Sequence, residues 1–286
     1  MGKNDKKMAH EALLLGLFAV ILLQIGYVIQ KLGVHTLFDK KITFDTFSEK
    51  EFIIWIIGTA ITTIASLLMF YACSIGDVSR IQPLTGIGPV IVALIVTFFL
   101  HESLNFIEWI GIIISSVGVI IISFSIGEES SGNYNLIAIY LVSICILFLI
   151  FLLYLLSKKL FIFKKGIIEG IIAGLAGGLP SIFAKLVIGD LLLFKFFNYD
   201  IIVGTFALAV FQLLAFLFLQ RGFHSGHIAI VISIFTAISV LLPVFMAFLF
   251  LGESLSLIQC VGIVMILIGA IIVSNKTKEV EKSKEP

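Results

Sequence analysis

Charge is what this sequence has least of. Only 13% of its 286 residues are Asp, Glu, Lys or Arg, against about a quarter in soluble domains. With 60% hydrophobic residues, there is too little polar surface to cover a water-soluble body of this length. The solvent for most of the surface is therefore lipid. Basic and acidic residues nearly balance, 19 against 18, and no basic stripe with interleaved aromatics appears, so nucleic acid is not an expected partner. Cysteine is scarce as well. Cys73, Cys145 and Cys260 lie singly in apolar stretches, which excludes a disulfide framework and reads as small buried hydrophobes. Catalytic signatures are missing too. There is no G-x-S-x-G, no H-E-x-x-H and no P-loop. His10 precedes the first apolar run, and His35, His101, His224 and His227 fall in loops. The pattern argues against an enzyme, and no cofactor is expected.

What is present is a series of apolar runs. A bilayer core about 30 Å thick takes about 20 residues in helical form. Nine runs qualify: 12–30, 52–73, 81–100, 109–126, 136–156, 166–189, 201–220, 228–251 and 257–274. They are continuous rather than alternating, so helices are expected and a barrel is not. The first run is long for a signal peptide and lacks a small-residue cleavage site, so it is expected to be a retained helix. The expected fold is thus an all-α polytopic membrane protein with about nine transmembrane helices.

The chain also repeats itself. Residues 86–123 and 237–274 share 13 identities in 38 positions at a constant offset of 151. Each copy reads helix, tight polar turn, helix. The turns carry Glu102-Ser103-Leu104 and Glu253-Ser254-Leu255, and the helices after them carry Gly111/Gly118 and Gly262/Gly269. Glu and Ser at a turn-to-helix junction suit a helix cap, so Glu102 and Glu253 read as structural. Equivalent helices of the two copies lie five runs apart. An odd number means that the copies enter the membrane from opposite sides, as in inverted-repeat transporters with a substrate site at the repeat interface. The expected division is residues 1–127 as a first repeat of four helices, 128–274 as a second repeat of five, and 275–286 as a charged cytoplasmic tail. Thirteen loop Lys and Arg fall on the side of the C-terminus and five on the side of the N-terminus. The positive-inside rule then places the N-terminus outside and the C-terminus in the cytoplasm of a cell-membrane protein.

Run six stands apart. It holds Glu169, Lys185 and Pro180. A Lys or a carboxylate at mid-membrane costs about 2.5–3.5 kcal/mol each, and eleven Ile, Leu, Val and Phe return about 3–7 kcal/mol. Such a helix depends on protein neighbours. Gly170, Gly174 and Gly178 let a partner helix approach closely, either within the chain or in a homodimer. Ser181 and Lys185 continue that stripe, and Lys185 is expected to face a translocation path. Glu169 and Lys185 are about 24 Å apart along the helix, too far to pair. Glu169 reads instead as a solvated interfacial carboxylate beside Lys164 and Lys165, and as a weak metal ligand. Neutral candidates for solute contact are Gln24 and Tyr27 in run one, Ser66 in run two, Gln82 and Thr85 at the proline-rich start of run three, and Gln212 in run seven. Pro83 and Pro89 break the hydrogen-bond ladder there and open a place for a cavity.

The repeated Glu-Ser-Leu turn followed by Gly-x₆-Gly resembles the drug/metabolite transporter superfamily with its EamA-type domains, over nearly the whole chain. That family usually has ten helices, five per half. Four followed by five resembles the NIPA-type magnesium transporter branch. Lys31-Leu32-Gly33 stands where that branch ends helix one with Lys and Gly, and Gln82-Pro83-Leu84 resembles its Thr-Pro-Leu. Lys185, Gln212 and Arg221 match its Lys in helix six and its Gln and basic residue in helix seven. Ser66 departs from it, standing where that branch carries a Glu. Mg²⁺ is bound through carboxylates and retained waters, so this departure suits an organic anion or zwitterion as well as a cation. The resemblance implies a secondary transporter of a small solute or divalent cation, working by alternating access. Export of an amino acid or other metabolite, and a non-transporting membrane interaction protein, stand as the alternatives.

Overall fold

A computed structural model describes residues 3–38, 49–75, 82–100, 104–124, 136–158, 162–192, 199–250 and 255–282. Among these residues every regular element is a helix. The long ones are α1 (Lys3–Gly33), α2 (Lys50–Ile75), α3 (Gly88–Phe99), α4 (Phe106–Phe124), α5 (Leu136–Ser157), α6 (Ile162–Leu192), α7 (Tyr199–Ser225), α8 (Ile228–Phe250) and α9 (Leu257–Lys282). A single turn, His35–Phe38, follows α1, and a 3₁₀ segment, Gln82–Ile87, leads into α3. The described part of each expected apolar run is helical, the third run being divided between the 3₁₀ segment and α3. Five stretches are long and apolar enough to cross a membrane: Glu11–Gly33, Lys50–Met69, Ala138–Ser157, Ile202–Ser225 and Ile228–Met246. Four shorter apolar helices accompany them.

The exposed surface confirms which solvent the chain meets. Phe98, Phe99, Phe106 and Leu257 are each 70% or more exposed, which water would penalise and hydrocarbon does not. The chain is a polytopic α-helical membrane protein. Cys145 and Cys260 correct an expectation: both are exposed, on α5 and α9. An apolar side chain need not be buried when lipid is the solvent. The Cys73 side chain lies outside the described residues.

The helices group into two compact units. The first comprises residues 1–126, 226–233 and 256–286; the second comprises 127–225 and 234–255. In the first unit, α1 packs along α2, and α4 packs along α9. Glycines set both contacts. A β-carbon on Gly26 would lie 2.6 Å from Thr62 Cγ2, and one on Gly58 would lie 2.6 Å from the Gln30 nitrogen. Gly33 meets the Glu51 carbonyl and lies against Trp55. Rising numbers on α1 meet falling numbers on α2, so the two run antiparallel.

The α4–α9 contact is reciprocal. A β-carbon on Gly111 would lie 2.9 Å from the Gly269 carbonyl oxygen, and one on Gly269 would lie 2.6 Å from that of Gly111. Gly118 and Gly262 face each other in the same way, at 2.8 and 2.9 Å. These are the two glycine pairs of the sequence repeat, meeting head to tail. Both helices also start alike. The Asn105 N–H donates to Glu108 Oε2 at 2.7 Å, and the Ser256 N–H donates to Gln259 Oε1 at 2.9 Å. The Gln259 N–H returns a bond to Ser256 Oγ at 3.2 Å, closing a capping box. Asn105 and Ser256, like Glu108 and Gln259, keep the 151-residue offset. Glu102 and Glu253, expected to cap these helices, lie outside the described residues; in the described chain the cap forms three residues later.

In the second unit α6 packs along α7, and α5 packs on α6. Phe183, fully buried on α6, stacks between Tyr140 of α5 (centroids 6.0 Å apart) and Phe211 of α7 (5.9 Å). The glycine stripe of α6 seats α8. A β-carbon on Gly174 would lie 2.7 Å from Ile238 Cβ, and one on Gly178 would lie 3.1 Å from Leu242 Cβ and Pro243 Cδ. Of the two uses expected for Gly174 and Gly178, internal packing is the one observed; Gly170, one turn earlier, is buried. Helix ends run further than apolarity alone marks. α9 continues through Lys282 into the expected tail, and α7 carries Gln220 and Arg221 on to Ser225.

Candidate functional site

Among the described residues, both units bury polar side chains. In the first, the α1–α2 contact buries Gln30 completely. Its Nε2 donates to Thr62 Oγ1 at 3.0 Å and to Thr59 Oγ1 at 3.3 Å. Those hydroxyls donate in turn to the carbonyls of Thr59 and Trp55, at 2.9 and 3.0 Å. This network ties two helices and leaves its hydroxyls satisfied. Gln30 ends an apolar run, where an amide is expected at the headgroups, so the sequence alone does not mark it.

Gln24, one and a half turns earlier, is different. It is only 5% exposed, and its Oε1 is buried with no hydrogen-bond partner. Its amide lies over Gly88, where a β-carbon would come within 2.7 Å of Nε2. Gly88 is the first residue of α3, where the 3₁₀ segment gives way to α-helix, and Pro89 follows it. Pro89 has no N–H and so withdraws one donor from this turn. Tyr27 follows Gln24 at helical spacing and, like Thr85, is half-buried. A buried carbonyl-type oxygen with no donor costs about 1–3 kcal/mol. It is an acceptor waiting for a hydrogen-bond donor.

The remaining candidates scatter. Ser66 is exposed on α2, and its hydroxyl donates to the Thr62 carbonyl at 2.9 Å. Gln212 is exposed on α7. Gln82, Ser181 and Lys185 have described backbones, in the 3₁₀ segment and on α6, but their side chains lie outside the description. Lys31, counted among the loop lysines, is half-buried at the end of α1, and its Nζ donates to the Gly226 carbonyl at 2.7 Å.

The second unit overturns the reading of Glu169. Rather than a solvated interfacial group beside Lys164 and Lys165, Glu169 is fully buried on α6 and paired with Arg221 of α7. Arg221 Nε donates to Glu169 Oε1 at 3.1 Å, while Oε2 is buried and has no hydrogen-bond partner. Arg221 is 27% exposed, and its Cζ lies 5.1 Å from the Tyr154 ring and 5.8 Å from the Phe218 ring. The helix continues past the last apolar residue of run seven, which is why a residue counted as loop reaches a carboxylate on the neighbouring helix. Among the described residues no three His, Cys, Asp or Glu side chains form a group that could hold a metal ion.

Residues 9–124, covering α1 to α4, match the EamA-like transporter family. A relative matches over a longer stretch. The chain is 27% identical over 246 residues to a probable magnesium transporter, NIPA9, of Arabidopsis thaliana, covering 78% of this chain and 70% of that protein. It is 39% identical over 70 residues to an uncharacterized protein of Methanocaldococcus jannaschii, covering 24% of this chain and 51% of that one. No solved structure matches it significantly. The EamA-like match accounts for the Glu-Ser-Leu turn and glycine helix of the first copy, and agrees with the resemblance read from those residues.

Proposed function

We propose that the protein is a secondary transporter in the cell membrane that moves a hydrated divalent cation, Mg²⁺ foremost, by alternating access between two inverted repeats. Its N-terminus is outside and its C-terminus cytoplasmic, as the lysine distribution favours. The observation that carries the reading is the unpartnered oxygen of Gln24, buried against the start of α3. Mg²⁺ gives up its waters reluctantly, and a metal-bound water is a strong hydrogen-bond donor. An amide oxygen is its natural partner where no carboxylate is free. The EamA-like match and the likeness to the probable magnesium transporter of Arabidopsis point the same way. The antiparallel α4–α9 contact supports the inverted relation of the repeats.

A second reading rests on Glu169. Because Arg221 neutralises that carboxylate, the described interior presents an amide and hydroxyls, which would also receive the ammonium of an amino acid or similar metabolite. Uptake into liposomes containing the purified chain separates the two. Saturable Mg²⁺ uptake, blocked by the hexahydrate mimic cobalt(III) hexaammine, is expected. Amino-acid uptake without Mg²⁺ uptake would favour the metabolite exporter, and flux of neither would favour a non-transporting membrane protein.

A further inference from the structure

We propose that the ends of α5 and α7 form a binding site for one anionic phospholipid, its phosphate seated between Lys158 and Arg221. The site goes beyond the transport reading, since it needs only that these helices end at a membrane surface. The apolar stretches Ala138–Ser157 and Ile202–Ser225 are each long enough to cross. Lys158 stands just past the end of the first, and Arg221 near the end of the second. On the orientation proposed above, both ends face the cytoplasm, where the leaflet carries anionic lipid.

One ring brings the two ends together. Tyr154 of α5 meets Phe218 of α7 edge to face, with centroids 5.8 Å apart. Lys158 Nζ lies 4.6 Å from the centre of the Tyr154 ring, and Arg221 Cζ lies 5.1 Å from it. Both distances are in the range at which a ring face holds a cation. Two positive charges therefore flank a single side chain, and like charges brought to one place repel. The arrangement calls for an anion. Glu169 answers only part of this, because it takes one N–H of Arg221, through Nε at 3.1 Å. The remaining donors of the guanidinium meet no carboxylate among the described residues, and Lys158 makes no ion pair there. Lys158 is exposed and Arg221 is partly so, which leaves both open to a headgroup. A guanidinium fork and an ammonium suit the unesterified oxygens of a phosphate diester.

The surface before the cations suits acyl chains. On α5, Leu155 and Phe151 lie one and two turns before Lys158, and both are exposed. On α7, Leu217 and Leu213 stand in the same relation to Arg221 and are exposed as well. Apolar side chains thus lead along each helix to a positive charge, as chains lead to a phosphate in a phospholipid. The local charge selects a lipid of net negative charge. Between Tyr154 and Glu169 the sequence carries Lys158, Lys159, Lys164 and Lys165 and no acidic residue, and residues 201–225 carry none either. Glu169 itself is fully buried and engaged. A zwitterionic headgroup would bring its own cation to these lysines and find no carboxylate to receive it.

The test titrates the purified full chain in detergent with lipid and counts bound lipid by native mass spectrometry. One phosphatidylglycerol per chain is expected to bind about twentyfold more tightly than phosphatidylcholine with the same acyl chains, at about fivefold for each cation. Lys158→Gln leaves the Glu169–Arg221 pair untouched and is expected to lose about fivefold in phosphatidylglycerol affinity. Lys50→Gln, which removes an exposed cation at the start of α2, is expected to change nothing. The lipid is expected to stay bound in an excess of inorganic phosphate. Should Lys158→Gln not fold, the comparison of the two lipids on the wild type decides. Equal binding of the two lipids, an undiminished affinity in Lys158→Gln, or an equal loss in Lys50→Gln overturns the proposal. So does displacement by inorganic phosphate, which would make this a site for the free anion.

Discussion

Gly118 of α4 and Gly262 of α9 face each other so closely that a β-carbon on either would come within 3 Å of the other's carbonyl oxygen. The atom in the way is backbone, which cannot rotate aside. Gly118→Leu and Gly262→Leu should therefore each lower stability by about 1–3 kcal/mol. Because the contact is reciprocal, the two losses should be similar. Unfolding of the purified variants in detergent measures both.

Gln30 should behave as a structural amide. Gln30→Leu removes its bonds to Thr59 and Thr62, yet both hydroxyls still donate to carbonyls of their own helix. The loss should be about 1 kcal/mol, typical of a hydrogen bond between membrane helices. The same unfolding experiment checks it, and transport should persist.

Gln24 should behave in the opposite way. Its Oε1 makes no hydrogen bond that substitution could break, so Gln24→Leu should leave the melting temperature unchanged or raise it. Uptake of Mg²⁺ into liposomes should fall by more than about tenfold, the equivalent of one lost charge-assisted contact. Lost stability with retained uptake would place Gln24 with Gln30 instead.

The contrast between these two glutamines marks what a sequence can tell. Both are amides in one apolar run, and nothing in their spacing says that one finds threonines across an interface and the other finds a glycine. Burial and pairing depend on which face meets which neighbour. The helices themselves were legible because lipid demands unbroken apolar runs of a fixed length, and the repeat was legible because its glycines and caps recur at one offset. Arg221 shows the limit. It stands just past the end of its apolar run, so hydropathy assigns it to a loop, while the helix continues and carries it to Glu169. Lys31 fails for the same reason, since its ammonium reaches a carbonyl nearly two hundred residues away.

That bond gives a further prediction. Lys31 Nζ is held 2.7 Å from the carbonyl of Gly226, between α7 and α8. Lys31→Met should free this turn, at a local cost of about 1.5–3 kcal/mol for a bond from a charged donor. Backbone amide exchange around Gly226 and His227 should accelerate about tenfold or more, while Lys31→Arg should largely restore protection. Exchange that is unchanged in Lys31→Met would show that the turn is held by other contacts.

That the two copies run upside-down to one another is tested most directly by single cysteines at their equivalent turns. Glu102→Cys and Glu253→Cys, each in a chain lacking Cys73, Cys145 and Cys260, are labelled in sealed vesicles with a thiol reagent that cannot cross the bilayer. Labelling of one turn from outside and of the other only after the vesicles are opened is the predicted result. Both turns labelled from the same side would contradict the inverted arrangement, and with it transport by alternation between the repeats.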